Sequence, residues 1–489
     1  MYSINDERGI FMNRRTWLKN TVLAAGGIML SPYLNAANGL ERWLFSLPRL
    51  TKEAFGKDFV WGAACSAYQV EGAWNTYGKG ESIWDHFVHR RGKIFHGETG
   101  DVATDFYHRY KEDIGLLKQM NFDAFRFSLS WSRIFPEGTG NINPAGVKFY
   151  HNVIDTCLEN GIEPWVTIYH WDLPQALEKK GGWKSREIVD WFSQYVDFVT
   201  REYGSKVKNW MVLNEPLSFT ALGYMTGEMA PGKRGFRNFF PAVHHAVLCQ
   251  AEGGRIIRRN IPHANIGTTF ALSWVNPENN NPKNLEAARR YDALMNRVFV
   301  EPAVGLGYPI GRLPGLKRIK KYMLPGDEEK MKFNFDFLGV QNYHPVTVKE
   351  NWFPFIRAKE IPASKRGVKT NCMGGEINGK DFYKILKQFG EYKIPLVVTE
   401  NGICINDKLK NGRVHDENSI AFFKDYLQNL LKAKQDGTDI RGYIVWSLTD
   451  NFEWDKGYRP RFGLIYIEYN NNLKRVMKDS GYWFMHFLK

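Results

Sequence analysis

Two glutamates stand at the ends of apolar segments, where a charge is costly. Glu215 follows the segment WMVLN, and Glu400 follows the segment LVVT. Because an unpaired buried carboxylate is strongly unfavourable, each is expected either to lie in a structural ion pair or to have a chemical task. Paired carboxyl groups are what glycoside hydrolysis requires: one protonates the leaving oxygen, and the other attacks the anomeric carbon or activates water. Two separate salt bridges would account for either glutamate alone.

Three further residues are predicted to tune these two carboxyl groups. Arg126 is expected to keep Glu400 ionised and to lower its pKa, and Tyr343 is expected to donate a hydrogen bond to it. Glu215 has to be protonated when substrate binds, so its pKa is expected to be raised by a drier setting. Asn214, directly before Glu215, is placed beside the pair.

Other polar and aromatic residues that follow apolar segments are of the types that bind sugars. A sugar presents hydroxyl groups at its edge and apolar carbon on its faces, so it is bound by amide, imidazole and carboxylate groups together with flat aromatic rings. A lone histidine or tryptophan is more often a packed core residue, but packing does not explain the combination, since buried polar groups need partners. The candidates are Gln69, His170, Asn214, Trp446, Glu453 and Trp454.

Eight apolar segments rich in β-branched and aromatic residues predict the strands that position these side chains. Helical patterns lie between them, for example at residues 191–204 and 419–437, where apolar residues recur at three-four spacing and a glycine follows. Eight such strands alternating with helices indicate an α/β fold, a (β/α)₈ TIM barrel with its chemistry at the carboxyl ends of the strands. The predicted strands are residues 59–67, 123–131, 163–171, 209–216, 265–272, 336–345, 395–401 and 440–448.

Eight motifs follow one another along the chain: FVWGAACSAYQVEGAW, FRFSLSWSRIFP, HWDLPQAL, LNEP, APG, VVTENG, WSLTDNFEW and RFGLIY. In these motifs the chain resembles glycoside hydrolase family 1, the β-glucosidase family. The resemblance runs from about Phe55 to the C-terminus, and it predicts a single catalytic domain over residues 53–489. LNEP alone would be a weak signal, but the ordered set is specific. All eight motifs stand in the family's order along the chain.

The resemblance implies a retaining mechanism without metal or cofactor. Glu400 matches the nucleophile, Glu215 the acid/base and Tyr343 the hydrogen-bond partner of the nucleophile. Family members that act on 6-phosphorylated sugars lack the acid found at Glu453, so an unphosphorylated sugar is expected here. The residues that match the sugar-binding set are Gln69, His170, Asn214, Glu453 and Trp454, with Trp446 as stacking platform and Phe462, from RFGLIY, added to the substrate-binding residues.

Three positions depart from the family pattern. Val212 stands where many members have threonine, Ala271 falls about where many have an active-site asparagine, and Gly375 stands where tryptophan is common. The last of these leaves the outer binding wall open to question. The choice among glucose, galactose, fucose and mannose is not set by the motifs.

The N-terminal residues 1–39 are predicted to be an export signal and linker. The segment NRRTWLKN, with Met12 as a possible true start, precedes a short apolar run and the small residues NAANG, a pattern typical of the twin-arginine route. The run is too short for a membrane span. An exported protein, periplasmic or secreted, is therefore expected, and the alternative is an amphipathic helix that stays attached to a cytoplasmic protein.

Charge and cysteine content exclude some classes of function. The net charge is +14, but the densest basic run, KRIKKY, is short and indicates a solvated face, and no zinc-finger or helix-turn-helix pattern indicates nucleic acid. The five cysteines, Cys65, Cys157, Cys249, Cys372 and Cys404, are far apart, which argues against a disulfide framework or a zinc site and favours small core residues.

The leading hypothesis is a retaining β-glycosidase and, within that class, a β-glucosidase that acts on the non-reducing end of short oligosaccharides or on aryl and alkyl glycosides. Two alternatives stay open. A transglycosidase would use the same site with an alcohol as acceptor, and a sugar-binding relative would have lost catalysis. The partner expected in every case is a small glycoside, and the oligomeric state is not readable from the sequence.

Overall fold

A computed structural model of the chain describes Trp43, residues 47–352 and residues 354–489. The chain divides into two units, Met1–Pro48 and Arg49–Lys489, and the fold set out below is that of the second. The predicted export signal, residues 1–39, lies outside the described residues. Among the described helices, none is both long and apolar enough to cross a membrane.

Eight parallel strands close into a barrel in which each strand pairs with its neighbours in the sequence, and the last, β8, pairs with β1. This confirms the predicted (β/α)₈ fold, and every predicted strand segment contains one of the eight. The strands are β1 (Val60–Ala64), β2 (Ala124–Ser128), β3 (Glu163–Tyr169), β4 (Asn209–Asn214), β5 (Asn265–Ala271), β6 (Phe337–Gln341), β7 (Leu396–Asn401) and β8 (Ile440–Trp446).

The strands are apolar throughout because both of their faces are buried. In β7, Val397 belongs to the cluster inside the barrel with Trp165 and Met211. Its neighbours Leu396 and Val398 belong to the larger cluster beneath the surrounding helices. Successive side chains of a strand point to opposite faces, so a strand between a filled interior and a helical layer needs apolar residues at every position.

Helices follow the strands and cover the barrel with one apolar face. The helix Ile188–Tyr203 buries Phe192, Tyr195, Val196 and Val199, the three-four spacing that predicted it. The second predicted helix runs Glu417–Gln435. The other α-helices of eight or more residues are Phe106–Gln119, Pro144–Glu159, Phe236–Asn260, Pro282–Asp292, Gly379–Gly390 and Asp479–Phe487.

Short elements that the sequence pattern did not predict extend the loops between the barrel strands and the helices. The largest is a three-stranded sheet formed by Val275–Pro277, Val346–Glu350 and Ala358–Glu360, which joins the segments that follow β5 and β6. Two-stranded pairs form at residues 409–414 and 465–477. Runs of two to five residues are too short to give a periodic signal, and their pairing depends on the barrel.

The cysteine spacing argued against a disulfide framework and favoured small core residues for most of the five, but two of the five are paired. Cys372 and Cys404 form a disulfide with their Cα atoms 5.5 Å apart, and the backbone N–H of Cys372 donates to the carbonyl oxygen of Cys404 at 3.0 Å. Cys65, Cys157 and Cys249 are free and buried, as expected. The pair escaped notice because 32 positions separate it in the sequence, and only the barrel brings the loop after β6 against the end of β7.

Candidate active site

A cavity of about 850 Å³ opens where the barrel strands end. Ten of the eleven sequence-predicted site residues line it, and Arg126 lies beneath them in contact with two of the ten. The strand ends therefore bring together residues that lie up to 393 positions apart in the chain, between Gln69 and Phe462. The ten are Gln69, His170, Asn214, Glu215, Tyr343, Glu400, Trp446, Glu453, Trp454 and Phe462.

Glu400 is positioned by an irregularity near the end of β7. The pairing of β7 with β6 runs in register to Val398 and then shifts, so that Glu400 lies opposite Gln341. Such a bulge re-aims the side chains next to it and is common beside active sites. The glycine that completes VVTENG is required sterically, because a Cβ atom on Gly402 would lie 1.8 Å from the carbonyl oxygen of Trp446.

The carboxylate of Glu400 accepts three hydrogen bonds, from the buried Arg126 and Gln341 and from the half-buried Tyr343. Arg126 Nη1 lies 2.5 Å and Gln341 Nε2 2.8 Å from Oε1, and the hydroxyl of Tyr343 lies 2.6 Å from Oε2. Burial raises the pKa of Glu400, and Arg126 and Tyr343 act in the opposite direction. The expected net lowering of this pKa is therefore wrong, because desolvation of the carboxylate outweighs its partners.

Glu215 lies directly after β4, at the start of the short helix Pro216–Ala221. Its backbone is left-handed, with φ 43° and ψ 64°. This conformation costs energy for a residue other than glycine and is enriched at functional sites. The backbone N–H of Glu215 donates to the carbonyl oxygen of Thr269 at 2.9 Å, which fixes this turn to β5. Burial, and then the charge of Glu400, raise the pKa of Glu215 to about 8, in the expected direction.

Asn214 connects the two halves of the site. Its side-chain oxygen accepts hydrogen bonds from Arg126 Nη2 at 2.5 Å and from Gln341 Nε2 at 2.7 Å, and its amide nitrogen lies 3.1 Å from His170 Nε2. Sequence reasoning missed Gln341, which contacts both Asn214 and Glu400. Its position two residues before Tyr343 was a usable signal, because strand residues at that spacing share a face.

Gln69 and Glu453 form a polar edge of the cavity. Gln69 Nε2 donates to Asn451 Oδ1 at 2.9 Å and lies 3.3 Å from Glu453 Oε2, and Ser66 donates to the other end of the amide at 2.7 Å. Burial, then the charges of Glu400 and Glu215, raise the pKa of Glu453 to about 8. The amide is therefore oriented by the protein, beside a carboxyl group whose raised pKa favours its neutral form.

Aromatic rings also line the cavity. The imidazole of His170 lies nearly parallel to the rings of Trp446 and Trp454, with centroids 6.1 and 5.9 Å away. Trp454 in turn packs against Trp171 at 4.6 Å, and Phe462 meets Tyr343 edge to face at 5.8 Å. These rings offer flat apolar surface beside the polar edge, the combination that a sugar ring requires.

The three departures from the family pattern have different consequences here. Val212 is fully buried in the main core and does not line the cavity. Ala271 and Gly375 do line it. A Cβ atom on Gly375 would lie 2.7 Å from Cδ2 of His344, so the His344 ring takes the space that a side chain at position 375 would need.

Groups able to ligate a metal are few among the described residues. Ligand atoms of His415, Glu417 and Asp479 lie within 4.8 Å of one another, but this cluster is at the surface and none of the three lines the cavity. Within the cavity, the carboxylate of Glu400 is engaged with arginine, glutamine and tyrosine donors.

Comparison with known proteins gives consistent matches over the second unit. The sequence pattern of glycosyl hydrolase family 1 matches residues 51–489. β-Glucosidase A of Thermotoga maritima is 40% identical over 439 residues, covering 89% of this chain and 98% of that protein. β-Glucosidase A of Acetivibrio thermocellus is 39% identical over 451 residues, covering 90% and 99%. A Thermotoga maritima family 1 glycoside hydrolase, solved with a cyclophellitol analogue transition state mimic, superposes with a TM-score of 0.85 at 39% identity, covering 89% and 98%.

Proposed function

The chain belongs to glycosyl hydrolase family 1, and on that premise we propose that it is a retaining β-glucosidase. It removes the terminal non-reducing β-D-glucosyl residue from unphosphorylated glycosides by double displacement. The unit Arg49–Lys489 carries the whole site and acts as one catalytic domain.

One observation carries the proposal: two carboxyl groups of one cavity have different hydrogen-bond partners. Glu400 accepts hydrogen bonds from Arg126, Gln341 and Tyr343, whereas burial and the charge of Glu400 raise the pKa of Glu215 to about 8. A pair of carboxyl groups whose environments push their pKa values apart provides a nucleophile and an acid at the same pH. Glu400 is therefore assigned as the nucleophile and Glu215 as the acid/base.

In the first step, an oxygen of Glu400 attacks the anomeric carbon while Glu215 transfers its proton to the glycosidic oxygen. The bond to the leaving group breaks, the alcohol departs, and the sugar remains as an ester of Glu400. Arg126 Nη1 and Gln341 Nε2 contact Oε1, and the hydroxyl of Tyr343 contacts Oε2, so the nucleophile is oriented before substrate arrives.

In the second step, Glu215 acts as a base. The negative charge of Glu400 is one of the two causes of the raised pKa of Glu215, and formation of the ester removes that charge. The pKa of Glu215 then falls, so its carboxylate accepts a proton from water as the water attacks the anomeric carbon. The ester bond breaks, the sugar is released, and both groups return to their starting states.

Glu453 supports the assignment of an unphosphorylated substrate. Its carboxyl group lies beside Gln69 and within the field of both catalytic carboxyl groups, which are two causes of its raised pKa. A phosphate dianion placed there would add to the negative charge of Glu400 in a buried setting, at a large cost in free energy.

The test is a panel of 4-nitrophenyl β-glycosides with Glu400→Gln, Glu215→Gln and, as matched control, the exposed Glu329→Gln. Glu400→Gln should lose activity on every substrate. Glu215→Gln should lose activity on 4-nitrophenyl glycosides. It should still carry out the first step on 2,4-dinitrophenyl glycosides, because the more acidic 2,4-dinitrophenol departs without a proton. Full activity of both site variants would overturn the assignment. A crystal structure should place the two carboxyl groups about 5–5.5 Å apart, and a separation near 9 Å would indicate inversion.

Export is proposed as well, by the twin-arginine route. The sequence NRRTWLKN supports it, and so does the disulfide between Cys372 and Cys404, since such bonds persist in oxidising compartments. Replacing Arg14 and Arg15 together by lysine should retain the enzyme in the cytoplasm, as measured by activity in cell fractions. Unchanged distribution between the fractions would contradict the proposal.

A further inference from the structure

The outer part of the cavity, away from the catalytic pair, is lined mostly by apolar side chains. They come from four segments: residues 217–236, which follow β4, residues 294–295, residues 355–356, and Met373. Most are only partly buried, so their carbon atoms face the cavity. We call this region the outer chamber, and its apolar residues are Leu217, Ala221, Leu222, Met225, Met229, Phe236, Leu294, Met295, Phe355, Ile356 and Met373.

Several polar groups of the outer chamber already have partners within the protein. Ser273 donates to the carbonyl oxygen of His344 at 2.8 Å, and the side-chain oxygen of Asn371 accepts from two backbone N–H groups at 2.9 Å. Tyr291 and Glu360 contact each other at the rim. A second sugar needs several hydrogen-bond partners, because hydroxyl groups moved from water against carbon lose their own. The chamber offers such a sugar mainly methionine, leucine and phenylalanine.

The shape of the chamber depends on two π-helical turns. Leu222–Thr226 places Leu222 and Met225 on the cavity, and Ala293–Arg297 places Leu294 and Met295 there. A π-helical turn departs from regular helix geometry and recurs at functional sites. Here both turns present unbranched or γ-branched apolar side chains, and methionine adapts to ligands of different shape.

We propose that the outer chamber binds the leaving group and selects glycosides of apolar alcohols, with aryl, long alkyl or fused-ring leaving groups, over cellobiose and longer oligosaccharides. This inference rests on the proposed β-glucosidase function and narrows its substrate class. The whole cavity measures about 850 Å³. That volume lies in the upper part of the range for ligand sites, so the cavity has room for a sugar and a sizeable leaving group together.

The experiment measures kcat/KM for alkyl β-glucosides from methyl to octyl and for cellobiose. Each methylene group that leaves water for the chamber should raise kcat/KM roughly three- to fourfold, until the chain reaches the rim. Octyl glucoside should exceed both methyl glucoside and cellobiose by more than roughly tenfold. If kcat/KM did not change with the length of the alkyl chain and cellobiose were the preferred substrate, the inference would be overturned.

The same Met→Gln substitution, made once in the outer chamber and once outside the cavity, separates an effect of the chamber from a general effect of the substitution on the protein. Met225→Gln keeps the length of the side chain but makes it polar, and it should lower the octyl-to-methyl ratio of kcat/KM roughly tenfold. Met485→Gln, at a half-buried methionine outside the cavity, should leave that ratio unchanged. An unchanged ratio in Met225→Gln would also count against the inference.

Activity on 2,4-dinitrophenyl β-glucoside distinguishes a failure of the proposed β-glucosidase function from a failure of the inference about the outer chamber. If this substrate is turned over but kcat/KM does not depend on the length of the alkyl leaving group, only the selection of leaving groups by the outer chamber is refuted. No turnover of any β-glucoside refutes the proposed function, and the inference falls with it.

Discussion

Replacing Cys372 and Cys404 together by serine removes the cross-link that joins the loop after β6 to the end of β7. The bond spans a sequence separation of 32 positions, and the enclosed segment contains the helix Gly379–Gly390 and the whole of β7. Because β7 is hydrogen-bonded to β6 on one side and to β8 on the other, this segment cannot unfold while the barrel remains folded. The cross-link should therefore contribute to the stability of the whole domain.

The stabilisation that the disulfide provides depends on the length of the loop it closes, which is set by the sequence separation of 32. For a loop of that length, the bond lowers the chain entropy of the unfolded state by about 12 cal/mol/K, or about 3.7 kcal/mol at 25 °C. A unit the size of Arg49–Lys489 has an unfolding entropy of about 930 cal/mol/K. The double serine variant should therefore unfold roughly 4 °C below the oxidised protein.

Thermal unfolding followed by circular dichroism measures this difference. The oxidised protein, the reduced protein and the variant Cys372→Ser/Cys404→Ser are compared at one scan rate, and thiol alkylation with mass spectrometry verifies the redox state. Reduction should bring the native sequence to the midpoint of the variant, and the reductant should not move the variant further. Equal midpoints for the oxidised protein and the variant would refute the reasoning, since they would mean that the loop is already constrained when unfolded.

Three further predictions concern titrating and hydrogen-bonding groups. The value of kcat/KM should fall as pH rises through about 8, where Glu215 loses the proton that it donates, and a profile flat to strongly alkaline pH would contradict that role. Tyr343→Phe removes the hydrogen bond to Glu400 and should lower kcat/KM roughly 10- to 100-fold, as measured with 4-nitrophenyl glucoside, and an unchanged rate would show that the other two donors suffice. Burial raises the pKa of Asp172 from 3.8 to about 8, so between these values the folded state holds a proton that the unfolded state has released, and stability falls as pH rises. Asp172→Asn should reduce that fall by up to about 1.4 kcal/mol per pH unit in denaturant titrations, and an unchanged slope would show that Asp172 is ionised in the folded state.

The elements that carry the site were predictable because their signals are local. Each barrel strand is an apolar run, and its buried state on both faces follows from that composition, as for Leu396–Asn401 in β7. A polar residue at the end of such a run is conspicuous in the sequence for the same reason. Glu215 and Glu400 could thus be found one strand at a time, before anything placed them in the same cavity.

The contacts between strands were not predictable in the same way. The register shift after Val398 and the contact of Gln341 with Glu400 depend on how β6 and β7 align, which no local pattern specifies. The disulfide depends on a loop returning to the barrel across 32 positions. The sign of the pKa shift of Glu400 depended on the balance between burial and Arg126, and that balance is a property of the packed site.

The distribution of hydrogen-bond donors decides where the negative charge of the site resides. Glu215, Glu400 and Glu453 are all buried, and each of them interacts with at least one of the other two, so three ionised carboxylates would be strongly unfavourable. Glu400 accepts from an arginine, a glutamine and a tyrosine, whereas Glu453 has one glutamine partner and Glu215 one serine partner. The three donors therefore favour a negative charge on Glu400 over one on Glu215 or Glu453, beside the carbon that becomes positive in the transition state. Glu215 and Glu453 keep protons at neutral pH, one for the leaving oxygen and one to donate to a sugar hydroxyl.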